Sequence, residues 1–582
     1  MRNFFGIFLL MFIFCSQLSA QKQLTLEDFF VDGTFRTKGV YGLRSMNDGE
    51  HYTVLENNGT RIVKYSYKTG LPVATLLDLK TLEDSPVSRI DDYTFNADES
   101  RILICTNKKP IYRRSFTADY YLFDLKNKEI KPLSEGGSQR LATFSPTGLQ
   151  VAFVRDNNLF IHDIRFGSER QITRDGQYNH IINGAPDWVY EEEFAFNRAF
   201  EWAPDGSAIA YIKFDESDVR EFQMNMFEGQ SPALKQNELY PSNYVYKYPK
   251  AGYPNSKVEV RTFDIKSKVT RTMKLPLDAD GYIPRIRFTQ DPNKLAIMTL
   301  NRHQNRFDMY FADPRSTVCK LALRDESPYY ISENVFDNIQ FYPENFSFLS
   351  DKDGYPHLYW YSMGGNLIKQ VTKGAHEVES FLGYDEADGS FYFISNEESP
   401  MRQAVYKIDR KGKKTKLSQK AGMNSALFSP TMKYYINTYT NLDTPAVITL
   451  NDNEGKTLKT LEANNALKQK LAQVALPQKE FFKFKTSQGV ELNGWMKPAD
   501  FSASKKYPVL MYQYSGPGSQ QVLDNFAISW ETYMASLGYI VACVDGRGTG
   551  GRGTEFQKST YLNLGVKEAK DQVEAAKYLG TL

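Results

Sequence analysis

The chain has 582 residues, several times the ~150 of an ordinary domain, so a single compact core does not accommodate it. Lys and Arg total 71 against 69 Asp and Glu, a net charge of +2, too balanced for a nucleic-acid grip or a polybasic membrane patch. A mean hydropathy of −0.49 with 24% charged residues excludes a disordered tail and a multispanning membrane protein alike, and 37 Tyr and 39 Phe set among 38 Gly and 25 Pro favour a strand-rich body full of turns.

Residues 1–20 read as a signal peptide, because Arg2 precedes an apolar run from Phe4 to Phe14 that the small residues Ser19-Ala20 close. The run falls short of the ~20 residues that a bilayer-crossing helix needs, so no transmembrane span is expected after signal removal. Cys105, Cys319 and Cys543 then remain, too few and too far apart for a disulfide framework. Export to a bacterial periplasm, in a Gram-negative cell, suits so cysteine-poor a secreted chain. No Cys/His cluster has zinc spacing, and no metal or cofactor is expected.

From residue 41 to 464 one pattern recurs: an aromatic or apolar residue enters a polar turn with Pro, Asp or Gly, and a strand follows. Met46-Asn47-Asp48-Gly49, Phe95-Asn96-Ala97-Asp98, Phe144-Ser145-Pro146, Trp202-Ala203-Pro204, Phe288-Thr289-Gln290-Asp291, Phe341-Tyr342-Pro343, Tyr384-Asp385-Glu386 and Phe428-Ser429-Pro430 are the eight instances. Most of the spacings are ~40–50 residues, the length of a four-stranded propeller blade, and the pattern predicts a propeller of eight blades, with seven as the alternative. In the third unit 151–154 and 159–163 read as a hairpin, with 170–173 as the fourth strand. The widest spacing, after Trp202, holds a Pro-, Asn- and Tyr-rich insertion over 222–255, either an arm over a partner subunit or a decorated surface loop.

After about residue 465 the periodicity changes to that of an α/β domain. The pattern predicts helices over 466–472, 524–537 and 567–579 and strands over 480–486, 491–497, 507–514 and 539–545. This region lacks nucleophile machinery. No Gly-x-Ser-x-Gly occurs anywhere, and His51, His162, His180, His303, His357 and His376 all precede it. The expectation is an incomplete hydrolase domain over 465–582 that does not turn over peptide by itself.

Five ordered segments carry a family resemblance. Asp187-Trp188-Val189-Tyr190-Glu191-Glu192-Glu193 resembles the double-glutamate motif of the dipeptidyl peptidase IV family of serine peptidases; Tyr112-Arg113-Arg114-Ser115-Phe116, Tyr248-Pro249-Lys250-Ala251-Gly252, Tyr514-Ser515-Gly516-Pro517 and Asp545-Gly546-Arg547-Gly548-Thr549-Gly550 are similar to other family segments in the same order. The resemblance implies an all-β propeller joined to an α/β-hydrolase domain whose Ser-Asp-His triad lies beyond Leu582, with residues 21–40 packing back on the hydrolase. It implies release of Xaa-Pro, and less readily Xaa-Ala, dipeptides from oligopeptides, and a homodimer formed through 222–255 and the hydrolase domain.

By the resemblance, Glu192 and Glu193 bind the substrate's free ammonium group, Arg113 holds a substrate carbonyl together with the glutamate pair, and Tyr514 donates to the oxyanion. Each residue type suits its role: two carboxylates neutralise and accept from an ammonium, a guanidinium is a rigid fork of donors, and a phenol donates to a developing alkoxide. Alone, a glutamate run is a solvated face and Arg114 rivals Arg113. A prolyl tripeptidyl peptidase of the same family and a non-catalytic peptide-binding propeller are the alternative functions.

Overall fold

The computed structural model describes residues 24–229, 233–474, 476–498, 502 and 504–582; the signal-peptide reading falls outside them. Eight antiparallel sheets follow one another, over residues 44–78, 92–132, 140–171, 181–272, 282–326, 345–370, 378–416 and 423–462. Each sheet is built from one stretch of chain, with strands pairing in sequence order except in the fourth, where two successive strands pair with the same third one. Strand faces alternate side chains, and apolar residues on both faces are buried against neighbouring sheets, as with Val151, Ala152, Phe153 and Val154 in the third. The molecule is an all-β propeller of eight blades followed by the first part of an α/β-hydrolase domain.

Seven of the eight turn motifs lie between the first and second strands of a sheet; the fourth follows Phe200–Trp202, which shares the edge position with Ile181–Asn183. In the sixth, the first strand has shrunk to the single bridge between Phe341 and Phe346. Packing joins the last sheet to the first: Tyr52, Val54 and Tyr67 share a cluster with Ile436, Ile448 and Leu450, Tyr67 stacks on Tyr434 at 5.6 Å, and Lys459 Nζ donates to the Gly70 carbonyl at 2.7 Å.

The hydrolase segment forms a four-stranded sheet from Glu480–Lys485, Glu491–Lys497, Ile540–Asp545 and Val509–Tyr512, in that spatial order, the last two parallel. Helices Trp530–Ser536 and Val566–Leu579 pack on it. The first of these is shorter than the pattern predicts. Residues 524–529 stay non-helical because Asp524 is drawn away to the propeller, where its carboxylate pairs with Arg402 at 2.7 Å and accepts from the Leu442 N–H at 3.0 Å. Before the first blade, Leu24 and Phe35 pack with Leu467, and Phe29 meets Tyr533 edge-on at 5.7 Å, so residues 24–35 lie against the hydrolase segment. Among the described residues no helix is long and apolar enough to cross a membrane.

Candidate substrate-binding site

The inner edge of the fourth blade is interrupted. Ile181–Asn183 and Phe200–Trp202 pair with opposite ends of the same strand, Ala208–Asp215, and the 16 residues between them leave the sheet as a loop. Its base is pinched around Ile212, whose carbonyl accepts from Gly184 N–H at 3.1 Å and whose N–H donates to the Ala199 carbonyl at 2.9 Å. The loop carries the helix Trp188–Glu193. Asp187 caps it, accepting from the Tyr190 N–H at 2.9 Å, and a second hydrogen bond comes from Ser256 Oγ. Tyr190 is fully buried, and its hydroxyl accepts from the Ile283 N–H of the fifth blade at 3.1 Å. A six-residue helix is not stable alone; these anchors to two blades hold it.

Its three glutamates have three different environments. Glu191, 1% exposed, turns inward and accepts the backbone N–H groups of Arg114 at 2.7 Å and Ser115 at 2.8 Å. Glu192 meets Arg113 through two parallel contacts, Nη2 to Oε1 at 2.7 Å and Nε to Oε2 at 3.0 Å. Glu193 is exposed and has no hydrogen bond or ion pair among the described residues. Desolvation, then the neighbouring carboxylates of Glu192 and Glu333, pushes its pKa up.

Arg113 lies at the tip of a hairpin in the second blade. Strands Arg101–Pro110 and Phe116–Asp124 run past the body of their sheet, and Ile111 N–H donates to the Ser115 carbonyl at 2.8 Å to close the turn. Arg114 points elsewhere: its Nη1 donates to the Glu191 carbonyl at 3.0 Å and lies 4.0 Å from Glu192. Of the two arginines only Arg113 engages Glu192 as a fork.

Tyr514 stands two residues beyond the strand Val509–Tyr512 and is 61% exposed, so it is not a buried strand-end tyrosine. A Cβ on Gly516 would come within 2.9 Å of the end of its ring, so a larger residue there would require the exposed Tyr514 side chain to shift. The loop is stitched to the Asp545–Gly550 segment: Gly518 N–H donates to the Gly548 carbonyl at 2.9 Å and Gly550 N–H to the Ser519 carbonyl at 3.0 Å. Asp545 accepts from Gln521 N–H at 3.1 Å and Val522 N–H at 2.8 Å. Burial pushes its pKa up to about 6. The second loop thus positions the first, a role its sequence did not disclose.

The hydrolase segment touches the ring through the fifth to eighth blades and the residues after them. Gln557 reaches the Tyr330 hydroxyl at 3.3 Å, Thr554 Oγ1 donates to Asp351 at 2.9 Å, and Asn396 donates to the Gly551 carbonyl at 3.0 Å. Among the described residues no hydrogen bond or ion pair joins 476–582 to the first four blades. The Arg113 and glutamate cluster stands on that other half of the ring.

The model of the dipeptidyl peptidase IV N-terminal region matches residues 96–446, and that of the prolyl oligopeptidase family matches residues 526–582. This chain belongs to the dipeptidyl peptidase IV family. It is similar to a crystal structure of Porphyromonas gingivalis dipeptidyl peptidase 4, with 45% identity and a TM-score of 0.92 over 96% of this chain and 79% of that one. A probable dipeptidyl-aminopeptidase B of Trichophyton verrucosum is 33% identical over 523 residues, 83% of this chain and 57% of its own length. Dipeptidyl peptidase 4 of Trichophyton rubrum is 32% identical over 507 residues, 84% of this chain and 64% of its own. The chain thus spans less than two thirds of the length of these fungal relatives.

Proposed function

We propose that the whole protein is an exported serine exopeptidase that removes Xaa-Pro, and less readily Xaa-Ala, dipeptides from the free amino terminus of oligopeptides through an acyl-enzyme. The observation that carries the reading is the pairing of Glu192 with the Arg113 fork while Glu193, one residue on, keeps an unpaired carboxylate. Glu191, Glu192 and Glu193 set against Arg113 and Arg114 retain a net negative charge, which favours a cation such as a substrate ammonium. Arg113 holds Glu192 in place and offers its remaining N–H donors to a peptide carbonyl; Tyr514 donates to the oxyanion. The nucleophile, acid and base are proposed to come from sequence outside these 582 residues, since they contain no Gly-x-Ser-x-Gly.

Product analysis tests the reading. From Ala-Ala-Pro-Xaa peptides a tripeptidyl enzyme releases Ala-Ala-Pro, whereas from Gly-Pro-Xaa peptides a dipeptidyl enzyme releases Gly-Pro. A full-length protein that cleaves neither and resists a serine-directed phosphonate is a peptide-binding propeller instead. Amino-terminal sequencing of the exported form is expected to start at Gln21.

The same proposal makes the protein a homodimer. Residues 222–255, of which 230–232 lie outside the described residues, include a two-stranded ribbon, Glu221–Met226 with Ser242–Lys247. Near its far end Phe227, Leu239 and Tyr240 are exposed apolar side chains. Replacing Leu239 and Tyr240 by Glu is expected to yield monomers in sedimentation; an unchanged dimer would place the interface on the hydrolase domain.

A further inference from the structure

The base of the ribbon has a different composition from its tip. Its second strand, Ser242–Lys247, places Tyr244 and Tyr246 on one face, and Tyr248 follows. Tyr246 is buried. Its ring lies 6.2 Å from that of Tyr112 and 6.5 Å from that of Trp188, and it touches Phe222 of the facing strand at 6.2 Å. Tyr248 packs closer on Trp188, with centroids 4.3 Å apart. Tyr244 stacks on Tyr246 at 5.4 Å. From outside the ribbon, Tyr178 donates to the Val245 carbonyl at 2.6 Å.

Tyr112 and Trp188 have telling places in the sequence. Tyr112 immediately precedes Arg113, and Trp188 is the first residue of the helix that ends in Glu192 and Glu193. These two segments come from different blades, and both rest on the same strand of the ribbon. Without that strand, the polar contacts that join the Arg113 hairpin tip to the glutamate loop among the described residues are those of Arg113, Arg114 and Ser115 with Glu191 and Glu192, and Asn197 donating to the Arg114 carbonyl. Aromatic contacts of this kind stabilise beyond the area they bury, and together they fix one relative placement.

We propose that Tyr246 is a positioning residue for recognition of the substrate's amino terminus: its ring sets the Arg113 hairpin and the glutamate helix at the spacing that binds an ammonium group. This rests on the reading of Glu192 and Glu193 given above. The ribbon then has two separable parts, a tip that makes contacts between copies and a base that shapes the site. A side chain that acts only by filling space would affect all substrates alike; a positioning ring affects those with a free amine.

The test compares Tyr246→Ala, Tyr246→Phe and the Leu239→Glu/Tyr240→Glu tip variant in the full-length protein. Small misplacements at a site cost up to about a hundredfold, so Tyr246→Ala is expected to raise KM for Gly-Pro substrates about tenfold with kcat within about twofold, and to leave kcat/KM for an N-acylated substrate within about twofold. Tyr246→Phe keeps the ring and should behave as wild type. Equal losses on free and acylated substrates, or a loss in Tyr246→Ala that the monomeric tip variant reproduces, would overturn the proposal. A second measurement does not depend on turnover: hydrogen exchange in the 582-residue chain should speed up in 111–116 and 187–194 together in Tyr246→Ala and in neither in Tyr246→Phe. Unchanged exchange in both segments would also overturn it. If both segments loosen but wild type shows no preference for a free amine, the ammonium reading fails and the coupling through Tyr246 stands.

Discussion

Replacing Glu192 or Glu193 by Gln is expected to lower kcat/KM of the full-length enzyme by about one to two decades on substrates with a free amino terminus. Each substitution keeps the side chain's shape and removes one charge from a charge-assisted hydrogen bond, worth about 1.5–3 kcal/mol, and 1.4 kcal/mol is a factor of ten. The two variants should differ in kind. Glu192 is already neutralised by Arg113 through a bidentate contact, so Glu192→Gln also releases Arg113, which is mostly exposed and has no other ion-pair partner within 4 Å among the described residues. Glu193 has no partner to release, and Glu193→Gln removes only the charge offered to the ligand. N-acylated substrates should be poor for the wild type and lose little further in either variant. Equal losses for free and acylated substrates would make both glutamates structural, as Glu191 is.

The same pair sets a pH profile. Ammonium binding requires an ionised Glu193 and a protonated substrate amine. The Glu193 pKa is raised, so the acid limb of kcat/KM should lie above that of an ordinary glutamate, with activity lost as pH falls through that raised value. The alkaline limb follows the substrate amine, near pH 8. Glu193→Gln should abolish the acid limb that belongs to this residue and leave the alkaline one; an unmoved acid limb would assign it to another group.

Much of the fold was legible because it is local and periodic. Seven of the eight turn motifs mark first-to-second strand turns, even where Phe341 opens a blade whose first strand is a single bridge. The overlong helix over 524–537 shows where local pattern fails, since Asp524 and its neighbours satisfy their hydrogen bonds on the propeller 82 to 122 residues away in sequence. The site was legible only in outline. The family resemblance singled out Arg113, Glu192, Glu193 and Tyr514, yet residue types alone do not say which of three adjacent glutamates turns inward, or which of two adjacent arginines the second blade's hairpin tip aims at the fourth blade's loop. Both follow from the placement of one blade's loop against another's. For the same reason the role of Tyr246 was hidden: its partners Tyr112 and Trp188 lie 134 and 58 residues before it and meet only once the blades are assembled.

Lys558→Met is expected to weaken the junction between propeller and hydrolase segment by about 3–5 kcal/mol, the usual effect of stripping one partner from a buried pair. Lys558 is 2% exposed. Its ammonium pairs with Asp351 of the sixth blade, donates to the Tyr330 carbonyl and lies 4.9 Å over the Tyr330 ring. Methionine keeps the stem's packing but leaves the partly buried Asp351 carboxylate with the Thr554 hydroxyl at 2.9 Å as its side-chain partner among the described residues. Hydrogen exchange in 551–561 should therefore rise about 10²- to 10³-fold, by the same conversion of 1.4 kcal/mol per decade. Adding Asp351→Asn should restore part of the loss, because the uncompensated charge goes with it. A single-variant effect under about 0.5 kcal/mol would mean that water already reaches the pair. In the full-length enzyme the consequence differs from that of the glutamates. Lys558 acts on the distance between the half of the ring that carries Glu192 and Glu193 and the segment that carries Tyr514, so Lys558→Met should lower kcat/KM on free and acylated substrates by the same factor, whereas Glu192→Gln discriminates between them.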